Sequence, residues 1–324
     1  MKLFSYAAAA LVAASGTLHA QDGDLPVLRA AMLEIGTVNW ELATIENRGL
    51  DEKHGFDLEV QSMADNGATR VALAGGESDM VVADWIWVAT QRAAGKDYVF
   101  VPYSTAVGGL MVPEDSEAQS LEDMRGGKIG IAGGPVDKSW LILRAYAQQE
   151  YGFDLAAETE QVFGAPPLIM KAGLSGETDG AVNFWHFQAK MEAAGMRELI
   201  SVGDASEALG LDPQTPLLGY VVSGAYAEAN PDVIQGLAAA SREAKEILAT
   251  DDSAWEDLRP QMNANDEAEF EALKAGWIAG IPESQTVDEA EIAKVFDLMA
   301  ELGGSELVGD ATSLPEGMFV SVSN

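Results

Sequence analysis

The hydrophobic pattern of the first hundred residues alternates between two periods. Short apolar or alternating runs predict strands, and segments with apolar residues three or four positions apart predict helices between them. The predicted strands cover residues 27–33, 57–61, 80–83 and 98–103. The predicted helices begin near Trp40, Asn66 and Trp85. This β-α-β order favours a largely parallel sheet with helices on both faces.

A second unit of the same kind follows a connecting strand at residues 108–112. Its strands are predicted at residues 128–132, 160–163, 180–184 and 198–202. A second connecting strand, residues 217–222, precedes a helical C-terminal segment. Two connections between two α/β units predict a discontinuous protein of two lobes, with a ligand-binding cleft between them. Lobe 1 is assigned to residues 25–108 and 218–315, and lobe 2 to residues 109–217.

The N-terminal segment has the features of a secretory signal peptide. Lys2 supplies the positive start, residues 3–16 form an apolar run, and cleavage is expected after Ala20. The signal peptide is therefore assigned to residues 1–20, and the mature chain begins at Gln21. No later apolar run approaches the roughly 20 residues that cross a membrane. We therefore expect an exported, periplasmic protein that does not insert into the membrane.

Charge and composition exclude several function classes. The formal net charge is −33, from 52 acidic and 19 basic residues. A field of this sign repels phosphate groups, which argues against nucleic acid and anionic lipid as partners. The chain has no cysteine, so disulfides, thiolate metal sites and a cysteine nucleophile are excluded. We expect a monomer that carries no cofactor.

The main candidate for a ligand site is the junction of the strand at residues 80–83 with the helix that follows it. Asp84 lies at the junction, and Trp85 and Trp87 come directly after it. In open α/β sheets, ligands bind outside the carboxyl ends of the strands, where this carboxylate and these indoles are placed. The structural alternative is that Asp84 only caps the helix and that the two Trp residues fill the core.

Other strand-end loops carry similar recognition residues. They are Asn39-Trp40, Asp65-Asn66-Gly67, Asp137-Lys138-Ser139-Trp140 and Asn183-Phe184-Trp185-His186. Helix N-termini at Asn66 and Ser139 have backbone N–H groups that suit an anion or a polar ligand group. Five such loops, with the one at Asp84, indicate a ligand site built from both lobes.

Catalytic motifs are missing from the sequence. It contains no Gly-x-Ser-x-Gly elbow, no Walker A loop and no Gly-x-Gly-x-x-Gly after a strand. His54 lies in a polar turn and is interpreted as a surface residue. His186 lies at a strand end, where it is a candidate ligand contact or general base without an evident partner. The sequence therefore favours a protein that is not an enzyme.

Four stretches, in this order and spacing, resemble the solute-binding proteins of ABC importers in the sulfonate, nitrate and thiamine-precursor group. They are residues 49–60 (GLDEKHGFDLEV), 72–79 (ALAGGESD), 120–130 (SLEDMRGGKIG) and 230–233 (NPDV). The resemblance implies a type II periplasmic-binding fold of the α/β class, with two lobes of mixed, mostly parallel sheets and a hinged cleft. It also implies capture of a small molecule by lobe closure and its delivery to an ABC permease in the membrane.

The resemblance also assigns the cleft residues. The positions here that match the cleft-lining loops of the family are Asn39, Trp40, Asn66, Asp84, Trp85, Ser139, Trp140, Asn183 and Trp185. The chain departs from sulfonate and nitrate binders, in which small or hydroxylic residues near position 84 and a basic residue in the cleft are expected. Carboxylates beside indoles suit a cation or a flat heterocycle, by cation–π contact and stacking.

Three alternatives remain beside the import protein. The first is an enzyme on the same fold, such as one that makes a thiamine precursor, with His186 as its catalytic residue. The second is a periplasmic partner protein that presents its surface to a sensor or dehydrogenase. The third is a binder of a hard metal ion or metal complex held by several carboxylates, and we rank it below the organic ligand.

Overall fold

The computed structural model describes residues 25–322, so the predicted signal peptide lies outside the described residues. Strands from both halves of lobe 1 form the first sheet. They are β1 (Val27–Leu33), β2 (Asp57–Met63), β3 (Met80–Asp84), β4 (Tyr98–Ser104) and β10 (Leu218–Ser223). Their order is β2-β1-β3-β10-β4. β1 pairs in parallel with β2 and β3, whereas β10 is antiparallel to β3 and β4.

The second sheet repeats this order within lobe 2. Its strands are β5 (Gly109–Pro113), β6 (Lys128–Ala132), β7 (Glu160–Gly164), β8 (Gly180–Asn183) and β9 (Met196–Ser201). They are arranged β7-β6-β8-β5-β9, with β5 antiparallel to both of its neighbours. In each sheet, therefore, four strands run in one direction, and one connecting strand, β10 or β5, runs against them.

Helices cover the sheets and form the C-terminal segment. In lobe 1 before the first connection they are α1 (Val38–Asn47), α2 (Leu50–Lys53), α3 (Asn66–Gly75) and α4 (Trp85–Ala93). In lobe 2 they are α5 (Lys138–Tyr151), α6 (Leu155–Glu158), α7 (Pro166–Ser175), α8 (Trp185–Ala193) and α9 (Val202–Ala208). After β10 they are α10 (Gly224–Ala229), α11 (Pro231–Thr250), α12 (Asp252–Met262), α13 (Glu267–Ala279) and α14 (Glu289–Val308). None of the helices between residues 25 and 322 is long and apolar enough to cross a membrane.

The periodicity predicted the long elements, and the differences concern short ones. α2, α6, α9 and α10 were not predicted, because four to seven residues are too few to show a helical period. The apolar spacing predicts a helix over residues 187–194, and α8 begins two residues earlier, so Trp185 belongs to a first helical turn. The pattern also predicts a short helix over residues 121–125, where the structure has a single Leu121–Met124 turn of 3-10 helix.

The apolar core is continuous across the two lobes. One cluster contains Trp85 from α4, Trp140 from α5 and Phe296 from α14. α14 packs against both α4 of lobe 1 and α5 of lobe 2, so it contacts both lobes. Separate clusters fill the other face of each sheet, under α1 and α11 in lobe 1 and under α7 and α8 in lobe 2. The helices that follow β3 and β6, α4 and α5, are therefore anchored to the same apolar cluster.

Candidate functional site between the two lobes

Asp84 joins the two lobes. Its Oδ1 accepts a hydrogen bond from Trp87 N at 2.9 Å, which makes Asp84 the N-cap of α4. Its Oδ2 accepts a hydrogen bond from Lys138 Nζ, the first residue of α5, at 3.1 Å. The side chains of Asp84 and Lys138 are 13% and 28% exposed, so the ion pair is largely shielded from solvent. Asp84 is therefore both a helix cap and part of the surface between the lobes.

Two of the other four helices that begin at predicted cleft loops also carry a carboxylate at the N-terminus, whereas α1 and α8 have no side-chain cap. Asp65 accepts a hydrogen bond from Ala68 N at 2.8 Å and caps α3. Asp137 accepts one from Trp140 N at 3.1 Å and caps α5. The sequence predicted that the N-termini of α3 and α5 could bind an anion or a polar ligand group. In the structure, carboxylate oxygens of the protein itself accept hydrogen bonds there.

Two of the predicted asparagines hold backbone carbonyl groups in place. Asn39 Nδ2 donates to Leu33 O at 2.9 Å, which ties the start of α1 to the end of β1. Asn183 is buried at the end of β8, and its Nδ2 donates to Pro166 O at 3.0 Å. Asn39 Oδ1 is buried and has no hydrogen-bond partner. Both side chains therefore shape the strand-end loops of their lobe, and Asn39 keeps one acceptor unused.

Asn66 and Ser139 differ in their access to the cleft. Asn66 is exposed on the first turn of α3, where its carbonyl accepts a hydrogen bond from Thr69 Oγ1 at 2.9 Å. Ser139 is half-buried beside Lys138 and lines a cavity between the lobes. Of the two, Ser139 lies next to the Asp84–Lys138 pair.

Four Trp side chains were predicted to line the cleft, and three of them are buried in the core while the fourth, Trp185, is partly exposed. Trp85 and Trp140 are completely or almost completely buried, and Trp40 is 4% exposed. Trp185 is only partly buried, and its ring meets that of Trp40 edge-on with centroids 6.0 Å apart. Trp40 belongs to lobe 1 and Trp185 to lobe 2, so this aromatic pair is a second contact across the cleft. Trp85 Nε1 is buried without a hydrogen-bond partner.

His186 is a neutral side chain on the first turn of α8. Burial, together with the smaller effect of the nearby positive charge of Lys190, lowers the pKa of His186 to about 4. The Nδ1 atom is buried without a partner, and the imidazole packs against the ring of Phe187 at 4.6 Å. No carboxylate orients this imidazole in the described part of the chain, which distinguishes it from the base of a catalytic triad.

Sequence reasoning missed the contacts that α13 makes with lobe 2. Lys190 on α8 donates a hydrogen bond to Asn263 O at 2.8 Å and lies 3.5 Å from a carboxylate oxygen of Glu269. A Cβ atom added at Gly276 on α13 would lie 3.0 Å from the ring of Trp185. Asn263, Glu269 and Gly276 belong to the helical segment after β10, which contains no strand end. The search for recognition residues at strand ends therefore could not find them.

A cavity of about 70 Å³ is lined by Lys138 and by Thr105, Val107 and Leu217 from the two connections between the lobes, which we call the hinge side. Its walls include Trp85, Lys138 and Ser139, and apolar residues such as Ile142 and Met299. An open groove of about 560 Å³, lined in part by carboxylates at the start of α14, adjoins the cavity at Asp212 and Thr215. Enclosed space is therefore present between the lobes, with mainly apolar walls.

Metal-ligating residues do not cluster in the described residues. No group of three or more His, Asp or Glu side chains between residues 25 and 322 is arranged to hold a metal ion.

Comparison with known proteins connects this geometry to a family. The sequence profile of the family described as NMT1/THI5 like matches residues 41–253. None of the curated proteins that were compared with the chain matches it. The family match covers β2 to α11, and therefore all of the strand-end loops except the one at Asn39.

Solved structures share the whole architecture. The periplasmic aliphatic sulphonate binding protein SsuA from Escherichia coli is 18% identical, with a TM-score of 0.73 over 92% of each chain. The alkanesulfonate-binding protein SsuA from Xanthomonas axonopodis pv. citri, bound to MOPS, is 20% identical, with a TM-score of 0.65 over 89% of this chain and 98% of that one. A mutant of DSZB in complex with biphenyl-2-sulfinic acid is 14% identical, with a TM-score of 0.58 over 89% and 95%. The predicted periplasmic-binding fold is confirmed by these likenesses.

Proposed function

The chain belongs to the NMT1/THI5-like family, and from this premise we propose that it is a periplasmic solute-binding protein of an ABC importer. It captures a small organic molecule between the two lobes and delivers it to a membrane permease. Asp84 and Trp185 contribute from opposite lobes, so a solute that bridges the lobes stabilises their closed arrangement.

The proposed class of ligand rests on the negative charge at the helix N-termini. Asp65, Asp84 and Asp137 place a carboxylate at the starts of α3, α4 and α5, three of the five helices that begin at the predicted cleft loops. Lys138 is already paired with Asp84, and His186 is neutral at physiological pH because burial lowers its pKa to about 4. An anion bound at the start of α3, α4 or α5 would therefore lie beside a carboxylate. A cationic or heteroaromatic molecule is the ligand that this arrangement favours.

The apolar walls agree with a ligand that has an organic body. The cavity on the hinge side is lined by Ile142, Met299 and the indole of Trp85. Trp185 is partly exposed and offers an aromatic face of lobe 2 beside Trp40 of lobe 1. A flat cation fits between a carboxylate and an indole, with contributions from stacking and charge.

The proposal is tested with mature protein that begins at Gln21. Melting temperature and Trp fluorescence are measured with benzyltrimethylammonium, 4-aminopyrimidine, benzenesulfonate and nitrate. A ligand at 100 times its Kd that binds only the folded protein adds about 2.7 kcal/mol of stability. We expect a rise in melting temperature with the cation or the heterocycle. A rise with benzenesulfonate or nitrate alone contradicts the ligand class, and no rise with any compound contradicts the binding role.

Sulfonate binding is the second candidate, and one observation favours it. Lys138 Nζ and the hydroxyl of Ser139 lie together at the start of α5, and both residues line the cavity. They offer a positive charge and a hydrogen-bond donor to an anionic ligand. The benzenesulfonate arm of the same experiment separates this candidate from the cation, because the two compounds share a ring and differ in charge.

Turnover of the ligand is tested at His186. The imidazole is neutral and its Nδ1 has no partner, so it is free to accept a proton, but a pKa of about 4 makes it a weak general base. A solute-binding protein leaves its ligand chemically unchanged, so we expect no product after prolonged incubation with the ligand that raises the melting temperature. A product that disappears with His186→Ala, at unchanged ligand affinity, would assign an enzyme instead.

A further inference from the structure

The Asp84–Lys138 ion pair connects lobe 1 to lobe 2. Asp84 ends β3 in lobe 1, and Lys138 begins α5 in lobe 2. The Nζ and Oδ2 atoms lie 3.1 Å apart, and each side chain is more than two-thirds buried. A pair held at this distance across the cleft must break when the lobes separate.

Lys138 lies between two carboxylates. Asp137 precedes it in the chain and caps α5 through Trp140 N. Burial raises the pKa of Asp137, and the Asp84 charge also raises it, whereas the Trp140 N–H and the Lys138 ammonium lower it. Both carboxylates therefore interact with the same ammonium group, and one positive charge is shared between two acidic side chains.

The environment of Lys138 is that of a bound organic cation. Its Nζ has a carboxylate oxygen at hydrogen-bond distance, and the residue lines the cavity together with Trp85 and Ile142. A ligand cation placed beside Asp84 would need the same oxygen and the same space. The two cations cannot both be neutralised by Asp84 at close range without mutual repulsion.

We propose that Lys138 is a tethered competitor, whose ammonium occupies the position beside Asp84 that the cationic group of the ligand takes. The inference rests on the proposed function and specifies its ligand: an organic cation whose charge replaces that of Lys138. Lys138 then sets the specificity of the cleft, since only a ligand that brings its own positive charge leaves Asp84 paired when Lys138 moves away. A neutral molecule of the same shape leaves Asp84 without a partner and binds more weakly.

Lys138→Met tests the proposal, because methionine keeps the length and the apolar stem and removes the charge. The matched control is Lys128→Met, which removes a lysine of lobe 2 that also pairs with a carboxylate, Glu160 at 2.9 Å, but lies at the start of β6. Binding of benzyltrimethylammonium and of benzenesulfonate to wild type and both variants is measured by calorimetry. Circular dichroism and melting curves establish that each variant is folded.

We expect Lys138→Met to bind benzyltrimethylammonium at least tenfold more tightly than wild type and benzenesulfonate more weakly. Lys128→Met should leave the ratio of the two affinities unchanged. If wild type binds the cation and Lys138→Met binds it equally or less well, the competitor role is wrong and the proposed function stands. If neither protein binds the cation while wild type binds benzenesulfonate, the cationic ligand class fails together with the competitor role.

Discussion

Trp40 and Trp185 meet edge-on across the cleft, with ring centroids 6.0 Å apart and planes at 89°. Trp40 lies on α1 in lobe 1, and Trp185 begins α8 in lobe 2. Such perpendicular pairs contribute about 0.5–1.5 kcal/mol beyond the area that they bury. The pair therefore stabilises the arrangement in which the lobes touch, and the residues that pack against it influence closure.

Gly276→Ala should weaken ligand binding without weakening the fold. A Cβ atom at this position on α13 lies 3.0 Å from the Trp185 ring, so the ring must move when the lobes close. We expect a cost of about 1 kcal/mol, or roughly fivefold in affinity, measured by calorimetry with the ligand found in the panel. Gly75→Ala on α3 is the control, because nothing lies within 4 Å of its Cβ position. Equal affinity of the two variants would show that this contact does not affect closure.

Asp84→Asn should reduce the affinity for a cation at least tenfold. The amide oxygen still accepts the hydrogen bond from Trp87 N and caps α4, so only the negative charge is lost. The measurement is a calorimetric titration with benzyltrimethylammonium. Asp251→Asn makes the same change at the cap of α12, where it should leave the affinity unchanged. A cation affinity that survives in Asp84→Asn would place the ligand elsewhere.

Glu41 and Lys245 form a buried ion pair inside lobe 1. Lys245 Nζ donates to Glu41 Oε2 at 2.6 Å and to Ser241 Oγ at 2.6 Å, and Tyr220 OH donates to Glu41 Oε1 at 2.7 Å. Burial raises the pKa of Tyr220 well above its usual value, and the neighbouring Glu41 charge also raises it. Every partner in the network therefore depends on the others for hydrogen bonds in a dry environment.

Lys245→Met should lower the free energy of unfolding by about 3–5 kcal/mol, because it leaves the Glu41 carboxylate buried without its counter-ion. Urea unfolding followed by circular dichroism measures the loss. Lys53→Met is the control, since its pair with Glu243 is exposed and should contribute less than about 1 kcal/mol. Similar losses in the two variants would contradict a special role of the buried pair.

The stability of the protein should decrease as the pH falls below 6.5, in part because of His186. Burial lowers its pKa in the folded protein to about 4, so between pH 6.5 and 4 the unfolded chain binds a proton that the folded protein does not. The contribution is present above pH 6.5 and amounts to a loss of about 2 kcal/mol at pH 5. His186→Gln should remove it.

Urea unfolding at pH 7.5 and pH 5 checks the effect of His186. At pH 7.5 the imidazole is neutral in both states, so the difference between wild type and His186→Gln gives the cost of the substitution itself. A wild type and a variant that lose equal stability between the two pH values would show that His186 is protonated in the folded protein.

The sequence alone predicted most of the secondary structure and the fold. Strand and helix periods are local properties, and they located β1 to β10 and the long helices. The polar residues at strand ends, Asp65, Asp84 and Asp137, were also recognisable, because a capping carboxylate interacts with the next turn of its own helix. The two connections between the α/β units predicted two lobes, and resemblance to a family supplied the periplasmic-binding fold, which the solved structures confirm.

Only the tertiary structure decided which side chains meet across the cleft. Asp84 and Lys138 are 54 positions apart, and the helical segment that brings Gly276 to Trp185 has no strand-end signal. Trp85 and Trp140 were placed in strand-end loops, yet both turn into the core, because each lies on the first turn of a helix that packs against α14. Which side of that turn is buried depends on the crossing of α14 over both lobes. That crossing is a relation between distant segments, which the local pattern of either one does not contain.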